Sequence, residues 1–338
     1  MQALVWTGKN QLEVQDIPEP RAEAGEVLVR VSYVGICGTD LHIWHGMHPR
    51  ATPPLVMGHE FSGVIEALGP GVEGWAVGDA VAPYPVLECG HCDLCAAGDG
   101  HLCGSLGLIG IDQDGAMAPL VRVPARKLHR VPPGTDLKLA ALIEPAAVGV
   151  HSTGKSRVHE AHSAVIIGAG PIGLSVAIAA RARGAQEIFV ADVTDYRVRV
   201  AEELGFHAVN VAQSSLLDAV LAATDGKGAD VVFECTGIVA AAAGITKLPR
   251  IGGQIVQVGI FSEPCALDLR DVSFKELDLV GVRHYYPAEF DDAIRQVASG
   301  EFDVAPLISD VYPIARGRAA FERLQAGQDA IKVLLRPE

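Results

Sequence analysis

The hydrophobic pattern of residues 1–150 is typical of short β-strands separated by turns. Apolar and polar residues alternate over residues 26–31, and they do so more loosely over residues 61–67. Glycine and proline interrupt these runs repeatedly, as in Gly69-Pro70-Gly71 and Pro132-Pro133-Gly134. The pattern therefore predicts an all-β first domain in the form of a small, partly open barrel.

Beyond residue 150 the pattern changes to apolar runs that alternate with helical stretches. The apolar runs cover residues 164–167, 187–190, 208–210, 230–234, 253–258 and 277–282. Helical periodicity separates most of them, first over residues 171–183. Six apolar strands connected mainly by helices predict a doubly wound parallel sheet, with helices on both faces, over residues 151–289. Residues 290–338 are predicted to return to the first domain and complete it.

A glycine-rich turn joins the first apolar run of the second domain to its first helix. The turn reads Gly168-Ala169-Gly170-Pro171-Ile172-Gly173 and fits the dinucleotide fingerprint G-x-G-x-x-G in its strand-to-helix context. Its glycines let the backbone approach a pyrophosphate, and the helix N-terminus offers free N–H groups to that anion. Asp192, nineteen residues beyond Gly173, is placed to accept hydrogen bonds from the adenosine ribose, which favours NAD over NADP. Arg197 is expected to weaken this preference, because a basic residue nearby can accommodate the 2′-phosphate of NADP.

Composition and charge narrow the class of protein. Charged residues make up 20% of the chain and apolar residues 49%, which is typical of a globular protein. The net charge of −14 argues against binding to nucleic acid or to an anionic membrane surface, because both would repel the protein. The first ten residues lack the basic and apolar segments of a signal peptide, and no apolar run reaches membrane-spanning length. We therefore expect a soluble, cytoplasmic protein that acts on a small molecule.

Four of the seven cysteines lie close together in the first domain. They are Cys89, Cys92, Cys95 and Cys103, with the spacing C-x2-C-x2-C-x7-C. Four thiolates from one loop can close a tetrahedral zinc site, which leaves no position for a substrate and is therefore structural. The expected compartment disfavours a disulfide-linked loop, and the longer last gap disfavours an iron–sulfur cluster. His91 or His101 could replace a cysteine as a zinc ligand, but both are expected to be solvated loop residues.

A second set of metal-binding side chains is spread over short loops of the first domain. Cys37 and His42 lie in one loop, His59 and Glu60 lie in another, and Glu144 precedes the second domain. A thiolate, an imidazole and a carboxylate make a suitable zinc set that leaves one position open for water or an alcohol.

The zinc-binding loop around His59 also carries a family signature. Gly58-His59-Glu60-Phe61-Ser62-Gly63, followed by Gly69 and Val72, matches the pattern G-H-E-x2-G-x5-G-x2-V. Over essentially its whole length the chain resembles the zinc-containing medium-chain alcohol dehydrogenase family. The resemblance implies a GroES-like β-barrel catalytic domain with a four-cysteine zinc lobe, joined to a Rossmann NAD-binding domain.

The same resemblance implies two zinc ions per chain and a set of active-site roles. The catalytic zinc would be held by Cys37, His59 and a carboxylate from Glu60 or Glu144. Ethanol-type members of the family carry a cysteine at the position of Glu144, so the chain looks like the sorbitol and threonine dehydrogenase branch.

The implied reaction is oxidation of a secondary alcohol to a ketone, with hydride transfer to NAD. The hydroxyl of Thr39 would pass the alcohol proton through the cofactor ribose to His42, an imidazole suited to proton transfer. The family further implies a homotetramer or a dimer.

Two short segments bear on the choice of substrate, and their resemblances differ. The segment around Arg283 resembles the Phe-Arg-Tyr segment of sorbitol dehydrogenases, whose arginine lies near the substrate. Arg283 could bind a polyol hydroxyl or a substrate carboxylate, or it could form a surface salt bridge. Ile43 stands where sorbitol dehydrogenases have a tyrosine, and Ile43-Trp44 resembles the Ile-Tyr pair of threonine dehydrogenases, which makes Trp44 a candidate substrate contact.

The leading prediction is therefore a polyol such as sorbitol or xylitol, with L-threonine or 2,3-butanediol as the next candidates. Two more distant possibilities are a zinc-free quinone reductase on the same fold and a zinc-binding module that contacts nucleic acid without being an enzyme. The first would not need the cysteine lobe, and the acidic charge disfavours the second.

Overall fold

The computed structural model describes residues 1–158, 163–327 and 329–337. The strands are β1 (Gln2–Gly8), β2 (Gln11–Asp16), β3 (Glu26–Gly35), β4 (Leu55–Val56), β5 (Glu60–Leu68), β6 (Ala80–Pro83), β7 (Val86–Leu87), β8 (Gly107–Leu108), β9 (Leu120–Pro124), β10 (Leu128–Arg130), β11 (Ser163–Ile167), β12 (Glu187–Asp192), β13 (His207–Asn210), β14 (Ala229–Glu234), β15 (Pro249–Gln257), β16 (Asp278–Gly281), β17 (Ile308–Pro313) and β18 (Lys332–Arg336). The α-helices are α1 (Gly38–Trp44), α2 (Asp93–Ala96), α3 (Leu137–Ala140), α4 (Ile143–Gly154), α5 (Pro171–Ala182), α6 (Asp195–Glu203), α7 (Leu216–Ala223), α8 (Val239–Ala242), α9 (Leu269–Phe274), α10 (Pro287–Ser299) and α11 (Gly317–Ala326). Short 3₁₀ turns cover Gly100–Leu102, Ala125–Lys127, Ile245–Lys247, Ala305–Leu307 and Ile314–Arg316. None of the described helices is long and apolar enough to cross a bilayer.

The chain divides into two compact units, each built from separate stretches of sequence. The first unit comprises Met1–Glu144, Tyr286–Gly300 and Ile308–Glu338, and the second comprises Pro145–Tyr285 and Glu301–Leu307. The boundary between them lies in the first turn of α4, and α10, β17 and β18 belong to the first unit.

The first unit is organised around the long strand β3, which pairs antiparallel with β5, β9 and β18. Its main sheet has the order β10-β6-β5-β3-β18-β17. Val27, Val29 and Val31 of β3 are buried, as the alternating pattern requires for a strand with one face in the core. The pairing of β3 with β5 sets Gly35 opposite Glu60, so the loops that follow and precede these strands lie side by side.

Strand β18 is buried along nearly its whole length and brings a charged residue into the first unit. Leu334 and Leu335 pair with the end of β3, and the N–H of Ile36 donates to the carbonyl of Val333 at 3.0 Å. The first residue of the strand, Lys332, is only 1% exposed. A lysine is almost never fully buried without a partner, so this position requires an anion nearby.

The second unit contains a six-stranded parallel sheet in the order β13-β12-β11-β14-β15-β16. Strands β11, β12 and β14 are apolar and buried at nearly every position, as expected when helices cover both faces. The predicted doubly wound parallel sheet is therefore confirmed. The strand order reverses between β11 and β14, and open sheets of this kind bind ligands at the carboxyl ends of the strands flanking that point.

Candidate zinc centres and dinucleotide loop

Three predicted metal ligands come together in the first unit. The ligand atoms of Cys37, His59 and Glu60 all lie within 4.8 Å of one another. Cys37 is the residue that precedes α1, and His59 immediately precedes β5, which begins with Glu60. The pairing of β3 with β5 therefore produces the cluster, and it does so from two loops that are far apart in sequence.

Two glycines make room for this cluster. A Cβ on Gly35 would collide with the carboxylate of Glu60, so only glycine lets that side chain turn inward at this register position. Gly58 has a φ of 101°, and a Cβ there would lie 2.8 Å from a methyl group of Val34. The glycine at the start of the G-H-E signature is thus required by both backbone conformation and close packing.

Asp40 of α1, which sequence reasoning missed, lies beside both Cys37 and His59. Its Oδ2 accepts the N–H of Cys37 at 2.8 Å, and its Oδ1 lies 3.8 Å from Nδ1 of His59. Both Oδ1 of Asp40 and Nδ1 of His59 are buried without a hydrogen-bond partner among the described residues. Carboxylates in this position commonly orient metal-binding imidazoles.

The electrostatics of the cluster favour a cation. Burial raises the pKa of Asp40, and the charge of His59 offsets this only in part. Burial alone would lower the pKa of His59, but Cys37 and Asp40 raise it well above its ordinary value. The surroundings of the imidazole thus favour a positive charge at this point, and a zinc ion bound there would displace the proton from His59. A thiolate, an imidazole and a carboxylate are ligands that zinc accepts, so these residues fit the metal.

Lys332 is the second residue that sequence reasoning missed. Its Nζ donates to Oε2 of Glu60 at 2.6 Å, to Oε1 at 2.9 Å and to the carbonyl oxygen of Ile36 at 3.1 Å. Burial alone would lower the pKa of Lys332, but the charge of Glu60 raises it above its ordinary value. The sequence offers no signal for this role, because the lysine opens an apolar strand 272 residues away from Glu60.

Glu144, the second candidate carboxylate, lies at the start of α4 and is half-buried. It interacts electrostatically with His59 and Lys332, which places it near the cluster, but it does not belong to the group of three converging ligand atoms.

The predicted proton relay and substrate residues on α1 differ in exposure. The Thr39 hydroxyl lies 3.7 Å from the sulfur of Cys37, and His42, one helical turn later, is exposed. Trp44 is only 4% exposed and packs edge-on against Phe321, with ring centroids 5.7 Å apart. The amphipathic geometry of α1 therefore turns Trp44 into the core of the first unit.

The four-cysteine lobe has the dimensions of a zinc site. The ligand atoms of its cysteines lie within 4.8 Å of one another, and the sulfur of Cys95 is 3.5 Å from that of Cys92 and 3.9 Å from that of Cys89. A tetrahedron with Zn–S bonds of about 2.3 Å has edges of about 3.8 Å. All seven cysteines of the chain are free thiols. The lobe therefore fits a structural zinc ion, as predicted.

Side chains between the last two cysteines of the lobe contact the start of α10. The hydroxyl of Tyr286 donates to Asp99 at 2.7 Å, and the ring of His101 lies 4.1 Å from the Tyr286 ring. The prediction that His101 is solvated was wrong, because its contact with Tyr286 leaves it only 3% exposed. His91 is exposed, as predicted.

The glycine-rich turn in the second unit has the geometry of a dinucleotide loop. Gly168 has a φ of 100°, and a Cβ on Gly173 would collide with the carbonyl oxygen of Gly168, so α5 can pack closely only with glycine there. Gly170 precedes α5, and Pro171 is its first residue, a position where proline lacks no needed hydrogen bond. Ile172 continues the first turn of the helix.

Asp192, at the end of β12, contacts the glycine-rich turn directly. Its Oδ2 accepts the N–H of Ala169 at 2.9 Å, and its Oδ1 accepts the N–H of Thr194 at 3.0 Å. Arg197 lies 3.8 Å from Oδ2 of the same carboxylate. Asp192 therefore supports the shape of the loop in addition to presenting a charge at the edge of the sheet.

Arg283 follows β16 at the same edge of the sheet. It is exposed and forms no hydrogen bond or ion pair with any described residue. The next residue, His284, has a φ of 53°, an uncommon conformation for a residue other than glycine. This cation is thus available to a ligand.

Comparisons with known proteins agree with this fold and these sites. Residues 23–133 match the alcohol dehydrogenase GroES-like domain, and residues 171–299 match the zinc-binding dehydrogenase domain. The chain is 42% identical to the 2-dehydro-3-deoxy-L-galactonate 5-dehydrogenase of Pseudoalteromonas atlantica, over 99% of this chain and 98% of that protein. It is 37% identical to a sorbitol dehydrogenase of Halalkalibacterium halodurans, over 100% and 99% of the two chains. An NADP-bound zinc-binding dehydrogenase of Sinorhizobium meliloti has a similar structure, with a TM-score of 0.94, 30% identity and 99% of each chain covered.

The chain therefore belongs to the zinc-containing medium-chain alcohol dehydrogenase family, as the sequence signature predicted. It is an oxidoreductase of the alcohol and polyol dehydrogenase type, and the prediction of enzymatic activity is confirmed.

Proposed function

We propose that the chain oxidises a secondary hydroxyl group of a polyhydroxylated, acyclic substrate to a ketone and transfers the hydride to NAD. The observation that carries this proposal is the convergence of Cys37, His59 and Glu60 on one point. The substrate class includes polyols such as sorbitol and xylitol, in keeping with the similarity to a sorbitol dehydrogenase. It also includes sugar acids, because another relative is named for action on a deoxygalactonate.

The residues at the cluster have different proposed roles in the catalytic zinc site. Cys37, His59 and Glu60 would hold the ion, and Lys332 would fix the orientation of Glu60. Two hydrogen bonds to Lys332 leave lone pairs free on the Glu60 carboxylate, so the same group can also reach a metal. We assign Glu144 a longer-range role, since it lies outside the converging set. A bound zinc ion supplies a Lewis acid that favours the ionised form of an alcohol.

Proton release is assigned to α1. Thr39 lies beside Cys37 and offers a hydroxyl that can both accept and donate a proton. His42 lies on the exposed side of the same helix and can pass a proton to water. We therefore propose the order Thr39, cofactor ribose, His42 for the outgoing proton.

The preference for NAD over NADP is assigned to Asp192. Its carboxylate is fixed by two backbone N–H groups at the end of β12, where a 2′-phosphate would meet a negative charge. Arg197, at 3.8 Å, reduces that repulsion without removing it. The expected result is a preference for NAD that is clear but not absolute.

The association of subunits is assigned to the outer edge of β16. Among the described strands, β16 pairs only with β15, so its other edge is open. A cavity beside it is lined by Cys265, Leu267 and Leu279, and Ile260 and Leu269 nearby are 89% and 66% exposed. An open, apolar edge strand is a site for pairing with another chain, and we propose that a second copy occupies it, in a dimer or a homotetramer. Light scattering should show no monomer at micromolar concentration.

The lobe cysteines must remain reduced to bind zinc, which favours a reducing compartment, and we therefore place the protein in the cytoplasm.

The reaction is tested by measuring the rate of NAD reduction with sorbitol, xylitol, an aldonate, butane-2,3-diol and L-threonine, each with and without a chelator. Chelator-sensitive rates highest on polyols or the aldonate support the proposal, and the aldonate would make Arg283 the carboxylate-binding residue. A rate highest on L-threonine would replace the proposed substrate class. Metal analysis distinguishes the dehydrogenase, which needs both sites filled, from a quinone reductase, which needs no zinc, and from a binding module, which needs only the lobe.

A further inference from the structure

Glu234 is a fully buried carboxylate at the last position of β14. In the sheet register it lies between Ile167, the last residue of β11, and Gln257, the last residue of β15. It therefore stands at the carboxyl edge of the sheet, next to the point where the strand order reverses. This edge is where sheets of this type bind dinucleotides.

The donors to Glu234 among the described residues are all neutral groups. Oε1 accepts the N–H of Thr236 at 2.9 Å and also the Thr236 hydroxyl. Oε2 accepts the N–H of Gly237 at 3.0 Å and Nε2 of Gln257 at 2.8 Å. An ionised carboxylate is purely an acceptor, so every one of these contacts suits it. A buried charge without a cationic partner is costly, and here it is stabilised by hydrogen bonds from two loops.

These hydrogen bonds join the loop after β14 to the loop after β15. The Gln257 amide that donates to Glu234 also donates to the carbonyl oxygen of Gly259 at 2.7 Å, and the N–H of Gly259 donates to the carbonyl oxygen of Glu234 at 2.8 Å. A Cβ on Gly259 would lie 2.6 Å from Oε2 of Glu234, and one on Gly237 would collide with the carbonyl oxygen of Ile260. The two loops are therefore packed backbone to backbone around the carboxylate.

The loop after β14 also contacts the glycine-rich turn. The N–H of Cys235 donates to the carbonyl oxygen of Ile167 at 3.0 Å, and a Cβ on Gly168 would lie 2.6 Å from a methyl group of Thr236. Any movement of the loop after β14 would therefore also displace the glycine-rich turn and the loop after β15.

We propose that Glu234 is a positioning residue for the nicotinamide half of the dinucleotide. A Rossmann sheet consists of two mononucleotide-binding halves, and the half that contains Asp192 and the glycine-rich turn takes the adenosine side. The loops after β14 and β15 belong to the other half, and Glu234 holds them in one conformation. This inference rests on the dinucleotide binding proposed above.

The test uses Glu234→Gln in the zinc-loaded, full-length protein. The variant keeps the size of the side chain but turns an NH2 group toward donors, so at least one hydrogen bond is lost whichever way the amide lies, from the N–H of Thr236 or from Gln257. We expect the Kd for NADH, from fluorescence titration, to rise about tenfold or more. The Kd for ADP-ribose, which lacks the nicotinamide, should stay within about twofold of the wild-type value. Glu234→Asp keeps the charge and should restore part of the NADH affinity.

A control in the same strand separates positioning from general stability. Asp230 lies at the opposite end of β14, where its Oδ2 accepts the N–H of Ser163 at 2.8 Å. Asp230→Asn should lower the Tm without changing the Kd for NADH. If Glu234→Gln does not fold, Gln257→Met removes one donor to Glu234 and should raise the Kd for NADH in the same selective way.

Equal weakening of NADH and ADP-ribose, or a lower Tm with unchanged NADH affinity, would overturn the role of Glu234 while leaving the proposed function intact. A wild-type protein that binds neither NADH nor NADPH would instead overturn the proposed function, and this inference with it.

Discussion

Replacing Lys332 by methionine should strongly destabilise the metal-free protein. Methionine has a similar length and suits a buried strand, so the main change is the loss of the cation that faces Glu60 at 2.6 Å. Both side chains of the pair are almost fully buried, with exposures of 2% and 1%. Breaking such a pair leaves an uncompensated buried charge, which costs about 3–5 kcal/mol.

The expected size of the effect on thermal unfolding follows from that free energy. For a unit of this size, each kcal/mol corresponds to about 2–4 °C, so Lys332→Met should lower the Tm by roughly 6–20 °C. The double variant Glu60→Gln/Lys332→Met has no buried charge at this position and should recover most of the loss. In zinc-loaded protein the single variant should lose less, because a cation again faces Glu60.

The assay is differential scanning fluorimetry of the wild type, Lys332→Met, Glu60→Gln and the double variant, each with chelator and with zinc. A Tm of chelated Lys332→Met within about 1 °C of the wild type would refute the reasoning, since a broken buried pair cannot be that small. A double variant no more stable than Lys332→Met would show that lost packing, and not charge, causes the effect.

The same pair predicts a pH dependence. Burial acts to lower the pKa of Lys332, but Glu60 outweighs it, so the pKa is raised in the folded state. A raised folded-state pKa stabilises the protein below the unfolded value of about 10.4, and the stabilisation is lost as the pH rises through the folded value. The wild type should therefore lose stability above about pH 10.4 by a component that Lys332→Met lacks.

Three further predictions test the other sites. Cys37→Ser should abolish turnover and remove one zinc per chain, while NADH binding by fluorescence remains; loss of both would indicate misfolding. Asp192→Ala should lower the ratio of kcat/KM for NAD over NADP, and an unchanged ratio would exclude this residue as the discriminator. Tyr286→Phe should lower stability by about 1 kcal/mol, through loss of the hydrogen bond to Asp99, without changing the zinc content of the lobe. A variant as stable as the wild type would show that this hydrogen bond does not contribute to the free energy of unfolding.

The fold and the convergence of the candidate metal ligands could be predicted from the sequence because their signals are local. The cysteines of the lobe and the residues of the G-H-E signature lie within a few positions of one another, and the glycine-rich turn lies between a strand and a helix. Strand periodicity likewise depends on near neighbours. Such patterns survive in a single sequence, so the doubly wound sheet and the clusters of cysteine and histidine were recognisable.

The residues that surround these sites could not be predicted, because their partners are set by tertiary structure. Lys332 acquires its partner only through the pairing of β18 with β3. Its neighbours in the sequence do not indicate a buried ion pair with a residue as distant as Glu60. Asp40 and Glu234 look like ordinary acidic residues until the fold buries them. His101 lies in a loop between two cysteines, where the sequence predicts a solvated residue, whereas contact with Tyr286, 185 positions later in the chain, buries it.

The distance along the chain between Glu60 and Lys332 has a consequence for biosynthesis. The three converging candidate ligands are made before the lysine, which follows Glu60 after 272 residues. At about 5–20 residues per second, a ribosome needs roughly 15–55 s to cover that interval. During this time the nascent chain carries Cys37, His59 and Glu60 without the cation that orients the carboxylate. The geometry at the candidate catalytic centre therefore cannot form until β18 has left the ribosome, so any metal captured before then is bound without the contribution of Lys332.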